Sequence, residues 1–381
     1  MWAFALLLIA LASHALLIAW LRTVIGKGPK RTAALVAASL FMVIALYGPR
    51  ENFGYTSLEL AVVALGGGLF VALRIGERAV VAVRSKVRRP VASPLVTAAV
   101  AEEKTGRRQT FVRLAGGVSW AVSAGSLGWG SLRTRHDFEL VEVVVRIPGL
   151  PRVLEGYAIA QISDLHVGTF VGEADLARGL ELVTRARPDL LVVTGDLIDF
   201  DAGLAAMAAA RIAKLAPRDG IVGILGNHEY HSDADAVRAA LTAAKIDVLV
   251  NESRVVRGGD AGGFVLVGLD DYSAVRMGGR GPDLAGTLAA APKDGPRILL
   301  AHQPQQFDEA AGSVALQLSG HTHGFQFDFA ATVGRIARKY VSGRYEKSGS
   351  VLWVNRGFGV TGPPSRVGVR PEVTKIVLVA G

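Results

Sequence analysis

Leu191-Val192-Val193-Thr194-Gly195-Asp196 is the stretch on which the fold turns. A short apolar run rich in β-branched residues reads as a buried strand. It stops on a glycine followed at once by a carboxylate. The same phrase recurs on both sides. Upstream, Ile159-Ala160-Gln161-Ile162-Ser163 runs into Asp164-Leu165-His166. Downstream, Val222-Gly223-Ile224-Leu225 runs into Gly226-Asn227-His228-Glu229. Ile298-Leu299-Leu300-Ala301 then runs into His302, and Leu316-Gln317-Leu318-Ser319 into Gly320-His321-Thr322-His323. Each of these strands delivers metal-ligand residue types where it ends. Strand ends at one edge of an open α/β sheet form the crevice where ligands bind.

Further strands are expected over 140–147, 248–250, 264–269, 351–354 and 374–379, and helices over 173–186, 202–216, 234–244 and 305–311. Strands mixed with helices from Asp137 onward point to a layered α/β (α+β) domain.

The candidate metal ligands are Asp164, His166, Asp196, Asn227, His302, His321 and His323. Mixed Asp, His and Asn donors suit Mn²⁺, Fe²⁺ or Zn²⁺. Seven donors exceed one tetrahedral site and suit two divalent ions sharing a carboxylate. Two such ions about 3.5–4 Å apart can clamp a phosphoryl group. Gly195, Gly226 and Gly320 each precede a candidate ligand, where a backbone without Cβ can turn sharply.

These motifs resemble the calcineurin-like metallophosphoesterases over about residues 155–381. The closing stretches Asn355-Arg356-Gly357 and Arg370-Pro371-Glu372 look like those of a membrane-associated bacterial branch of that family. The resemblance implies a two-sheet β sandwich flanked by helices. It implies one metal on Asp164, His166, Asp196 and His323, a second on Asp196, Asn227, His302 and His321, and Asp196 as the bridge. It implies that His228 is a non-ligand catalytic histidine that contacts the phosphate and protonates the leaving oxygen. Histidine titrates near working pH, which suits that task. Asp199 or a nearby carboxylate is the expected orienting partner. Glu229 reads as structural and His231 as a solvated loop residue. One departure stands out: where the branch often continues Gly-Gly-Gln, this chain has Gly324-Phe325-Gln326, an aromatic face beside the metals. Asp270-Asp271 also resembles a family feature, and a pair of turn carboxylates explains it equally.

The N-terminal third has another character. Of 381 residues, 1–136 hold 17 Lys/Arg against 5 Asp/Glu, and 137–381 hold 25 against 28. The basic excess lies among apolar runs, which reads as charge flanking membrane spans and not as a nucleic-acid surface. Trp2 to Leu21 is apolar apart from Ser13 and His14, long enough to cross a hydrocarbon core of about 30 Å. A membrane region over 1–132 is therefore expected, with three or four transmembrane helices at about 2–21, 32–48, 55–73 and 114–132. A connecting segment and first strand over 133–154 follow, then the catalytic domain over 155–381. Basic loops stay cytoplasmic, and the alternation gives a multi-pass inner-membrane protein with an extracytoplasmic catalytic domain. Arg107-Arg108 before the Gly-rich fourth run looks like a twin-arginine export signal or an ordinary positive flank. His14 is expected to face another helix as a neutral side chain.

The absence of cysteine excludes disulfides, thiolate metal sites and cysteine nucleophiles. What remains is a membrane-anchored, dinuclear-metal-dependent phosphoesterase. Its expected substrate is a phosphomonoester, phosphodiester or pyrophosphate, lipid-linked or of the cell envelope, beside the lipid bilayer. The alternative is a non-catalytic membrane scaffold or sensor that retains a metal-binding domain.

Overall fold

The computed structural model describes residues 2–25, 28–33, 35–37, 53–87, 94–258, 262–328 and 338–381. The chain forms two compact units: Met1–Trp129 with Gly362–Pro364, and Gly130–Thr361 with Ser365–Gly381.

The first unit is helical, with Trp2–Ile25 packed against Phe53–Val87. Close approach of aromatic rings to small residues holds it together. Trp20 and Trp120 lie 6.4 Å apart. A Cβ at Gly116 would fall 2.0 Å from Trp20, and one at Gly66 would fall 1.9 Å from Trp120. His14 is buried within this unit.

The membrane expectation is corrected here. Among the described residues no helix is long and apolar enough to cross a membrane. That overturns the multi-pass inner-membrane location and the extracytoplasmic placement that rested on it. The expected span 32–48 falls largely outside the described residues, and side chains of the run 2–21 are described only from residue 11. The run 55–73 does not stop at a loop: its helix continues through Arg74, Glu77 and Arg78. The run 114–132 ends a helix in which Gly and Ser dilute the apolar residues and Arg107, Arg108 and Arg113 precede them.

The second unit contains two six-stranded mixed sheets. The first has β1 (Glu139–Ile147), β2 (Tyr157–Ile162), β3 (Leu190–Thr194), β4 (Ile221–Ile224), β5 (Asp247–Val248) and β12 (Glu372–Ala380), in the order β1-β12-β2-β3-β4-β5. The second has β6 (Glu252–Val256), β7 (Phe264–Gly268), β8 (Arg297–Leu300), β9 (Leu316–Ser319), β10 (Gly343–Lys347) and β11 (Ser350–Val354), in the order β10-β11-β9-β8-β7-β6. β2 to β5 run parallel, as do β7, β8, β9 and β11.

Period-two alternation builds three layers of core from these strands. Leu190 and Val192 face the second sheet and meet Phe264, Leu266, Ile298, Leu300, Leu316 and Leu318. Leu191 and Val193 face outward and pack on helices Glu173–Ala186, Ala205–Ala213 and Ala234–Ala243 through Leu180, Val183, Ile212 and Leu241. Val265, Val267 and Leu299 do the same on the far face of the second sheet. With both faces covered, the central strands need apolar residues at every position. Burial of each large aliphatic side chain contributes roughly 1.5–3 kcal/mol. The result is an α/β fold of two mixed sheets flanked by helices, with the ends of β2, β3, β4, β8 and β9 carrying the polar loops.

Candidate metal centre

The seven sequence-predicted ligands meet at those strand ends. Asp164, His166 and His323 form one group of converging donor atoms, and Asp196, His302 and His321 form another. His166 Nε2 and His323 Nε2 are 3.0 Å apart, and His323 Nε2 is 3.4 Å from Asp164 Oδ1. In the second group His321 Nδ1 is 3.2 Å from His302 Nε2, and Asn227 Oδ1 is 2.9 Å and 3.1 Å from the same two nitrogens. Asp196 stands between the groups: its Oδ2 is 3.6 Å from His166 Nε2 and 3.2 Å from His302 Nε2. Ring nitrogens and carboxylate oxygens aimed at each other in a dry interior lack enough protons to satisfy them all. That donor set fits divalent cations.

The backbone is bent to make this possible. Asp164, His166, Asp196, His321 and His323, five of the seven, have φ between 47° and 71°. The left-handed region costs an L-residue on the order of 1–2 kcal/mol, so surrounding contacts must impose it. Gly195 (φ 88°) and Gly320 supply the room. A Cβ at Gly195 would fall 2.7 Å from His302 Nδ1, and one at Gly320 would fall 2.0 Å from Ser163 Oγ and 2.1 Å from Asp164 Oδ2.

Hydrogen bonds fix the strained loops. The His321 amide donates to Asp164 Oδ1 and Oδ2 at 2.9 and 3.0 Å. The His228 amide donates to Asp196 Oδ1 at 2.8 Å. Buried Glu229 accepts from the amides of Asp196, Leu197 and Gly226 at 3.0, 2.7 and 2.6 Å, tying the β3 loop to the β4 loop. Its structural reading therefore has a defined content. His302 Nδ1 lies 2.8 Å from the Thr194 carbonyl, which takes its N–H and turns Nε2 toward Asn227 and Asp196.

Electrostatics separates the residues by task. Burial pushes the Asp164 carboxyl up, with neighbouring Asp196 adding to it. Asp196 goes the other way: burial opposes ionisation, but His302 outweighs it and holds the carboxyl well below its ordinary range. Burial, reinforced by the charge of His302, pushes His321 down to about 3, so this imidazole is a neutral donor. Burial lowers His228, yet its hydrogen bond to the Asp199 carboxylate and the charge of Asp196 overcome it and raise the group to about 9.

His228 sits on the short helix Asn227–His231, beside His166 with ring centroids 4.4 Å apart. It also lies within donor reach of His166 and Asp196. Its Nδ1 is 2.7 Å from the Asp199 backbone carbonyl, closer than the 3.4 Å to the Asp199 carboxylate. Phe200 flanks it at 5.2 Å. Exposed His231 follows at 5.7 Å.

Asp270 and Asp271 are anchors. Asp270 accepts from Tyr230 on the His228 helix. Buried Asp271 accepts from the Ser273 amide at 2.7 Å and from Gln303, the residue after His302, at 2.9 and 3.1 Å. Phe325 has φ 61°, and its ring lies 5.9 Å from the Arg338 guanidinium. Sequence reasoning missed Arg366. It is fully buried, and its Nη2 lies 3.4 Å from His323 Nδ1. Arg366 is 43 residues beyond His323 and carries no local signal that would find it.

Residues 157–325 match the family model of the calcineurin-like phosphoesterases. A Bacillus subtilis protein described as the uncharacterized metallophosphoesterase YkuE is 31% identical over 292 residues, covering 72% of this chain and 98% of that protein. A zebrafish (Danio rerio) protein described as a transmembrane protein with metallophosphoesterase domain is 32% identical over 280 residues, 71% of this chain. The match spans 63% of the zebrafish protein's length. An Aquifex aeolicus metallophosphoesterase is 33% identical over 226 residues, 58% of this chain and 85% of that protein. A match at 31% identity over almost the whole of one relative shows that this chain belongs to the calcineurin-like metallophosphoesterases.

Proposed function

We propose that the chain hydrolyses its phosphoester at a dinuclear centre, with Asp164, His166, Asp196 and His323 on one divalent ion and Asp196, Asn227, His302 and His321 on the other. The observation that carries this reading is the position of Asp196 Oδ2, within 3.6 Å of one group of donors and 3.2 Å of the other. Mn²⁺, Fe²⁺ or Zn²⁺ matches the donors. When bound, such ions supply Lewis acidity and an activated water for attack at phosphorus.

The chain's own residues do the rest. Neutral His321 and His323 offer lone pairs, since burial pushes both imidazoles down. Asp196 is kept ionised and its second oxygen is occupied by the His228 amide. His228 donates Nδ1–H to the Asp199 carbonyl, which fixes the ring and leaves Nε2 to deliver a proton to the departing oxygen. The Phe200 ring, 5.2 Å away, packs beside it.

A lipid-linked or otherwise apolar ester is the finer reading. Tyr272, Val275 and Met277 are exposed on a segment whose helix, Ser273–Arg276, packs against the helix of His228. An apolar leaving group would find contact there.

The test is hydrolysis of an aryl phosphate monoester and a bis-aryl diester by the full chain, stripped of metal and then reloaded with each ion. Activity that vanishes on stripping and returns on reloading is expected. A folded, metal-loaded chain that cleaves neither these nor micellar phospholipid would contradict the proposal.

A further inference from the structure

Phe325 is the departure from the family pattern, and the backbone is bent where it stands. His323, Gly324, Phe325 and Gln326 run consecutively in the left-handed region, with φ of 52°, 57°, 61° and 59°. Only one of the four is glycine, so surrounding contacts must impose the run. The Phe325 amide donates to the Thr322 carbonyl at 2.8 Å, and the Gln326 amide to the His323 carbonyl at 3.0 Å. The Gln326 side chain donates to the Thr361 carbonyl at 2.8 Å and accepts from the Thr361 amide at 3.0 Å. Gln326 is buried, whereas Phe325, two residues from the ligand His323, stays half-exposed.

A cation covers that ring. The Arg338 guanidinium lies 5.9 Å from the ring centre, within cation–π range. Its segment is fixed against the same loop. Thr322 donates its hydroxyl to the Val341 carbonyl. Buried Tyr340 packs on Phe307 and Tyr345, with ring centroids 5.8 and 5.1 Å away, and donates to Asp308 at 2.9 Å. Neighbouring Lys339 is also paired with Asp308. Arg338 is exposed, and among the described residues no carboxylate pairs with it. Burial pushes His321 down and the charges of His302 and Arg338 add to that, so the guanidinium stands within electrostatic reach of a metal-site histidine.

We propose that Arg338, seated on Phe325, is a substrate-binding residue that holds a second phosphate, so that the chain prefers diphosphate esters to monophosphate esters. The inference rests on the dinuclear reading above. Two divalent ions and His228 already meet the charge of the phosphoryl group under attack. A further guanidinium without a carboxylate partner is left for another anion. The nearest anion that a phosphoester can carry is a second phosphate on the same bridging oxygen. A guanidinium binds phosphate through two parallel N–H donors. The Phe325 ring holds it by its face and consumes none of those donors.

The test compares an alkyl diphosphate with the matching alkyl monophosphate as substrates of the metal-loaded full chain, read as the ratio of their kcat/KM values. Calorimetric binding of methylenediphosphonate and methylphosphonate is measured beside it. The native chain should favour the diphosphate and the diphosphonate by about tenfold. Arg338→Ala should abolish that preference through KM, and Arg338→Lys should keep part of it, as a charge without the fork. Phe325→Leu should give an intermediate loss, because the guanidinium loses its seat. Lys339→Ala removes a cation one residue away and should leave the preference intact. Chelation of the ions by the diphosphonate would survive in Arg338→Ala, so the difference between the two chains reads the arginine. A native chain without the preference, an Arg338→Ala chain that retains it, or a Lys339→Ala chain that loses as much would each overturn the proposal. A chain that binds the diphosphonate through Arg338 yet cleaves neither ester would uphold the anchor and overturn the hydrolytic reading instead.

Discussion

The two ends of the same strands are built in opposite ways. Where β2, β3 and β4 begin, charges are paired. Arg218 meets Asp189 at 2.7 Å, Arg257 meets Asp219 at 2.8 Å, and Tyr157 donates to Asp219 at 2.8 Å. Where these strands finish, Asp164 and Asp196 are buried with no Lys or Arg ion pair among the described residues, and both lie on left-handed backbone. The first end uses charge in its ordinary solvated way. The second gathers charge that only a cation can neutralise, and it depends on the rest of the fold to hold it there.

Substitutions can sharpen that contrast. The largest effect is expected for Asp196→Asn, which keeps the shape and removes the shared charge. The rate constant kcat/KM on an aryl phosphate should fall by about 10³-fold or more, and a native rate would break the contrast. His228→Gln should lower kcat by about 10²–10⁴-fold. If His228 protonates the leaving oxygen, the loss shrinks as the leaving group becomes more acidic, and a loss independent of leaving group would remove that role. Gly320→Ala forces a Cβ against Ser163 Oγ and Asp164 Oδ2. A loss of about 1–3 kcal/mol is expected in calorimetry, with weaker metal retention, and an unchanged Tm would show that the loop can yield.

The pH behaviour follows from His228. Its folded value, raised to about 9, exceeds its ordinary 6.5. In the metal-free chain its stabilising contribution is fully present below pH 6.5 and is lost as pH rises through about 9. Nuclear magnetic resonance of this imidazole should give the high midpoint, and metal loading should move it down because the ions repel the imidazolium. A midpoint indifferent to metal would separate His228 from the centre. The smallest effect is expected at the other strand end. Arg218→Ala breaks a largely exposed pair, so it should cost under about 1 kcal/mol and leave hydrolysis unchanged.

Much of this was legible in the sequence, for a physical reason. Strands covered on both faces must be apolar throughout, so β2, β3, β4, β8 and β9 announce themselves, and the abrupt change to Asp, Asn and His marks where each leaves the core. β6 and β10 escaped notice because they are edge strands with exposed polar positions such as Glu252, Arg344 and Glu346. The helix Asn227–His231 is too short to show a period. Arg366 acquires its meaning only from tertiary contacts, and an arginine in a Pro-rich, Gly-rich segment looks like a surface residue. Hydropathy misled in the N-terminal third, since Arg74, Glu77 and Arg78 continue the helix that the apolar run 55–73 begins.

The claim that one carboxylate joins two metals is tested most directly by anomalous diffraction from crystals of the Mn²⁺-loaded native chain. The account predicts two anomalous peaks about 3.5–4 Å apart, with Asp196 Oδ2 between them, His166 and His323 beside one and His302 and His321 beside the other. A single peak at saturating Mn²⁺, or two peaks that Asp196 does not link, would contradict it.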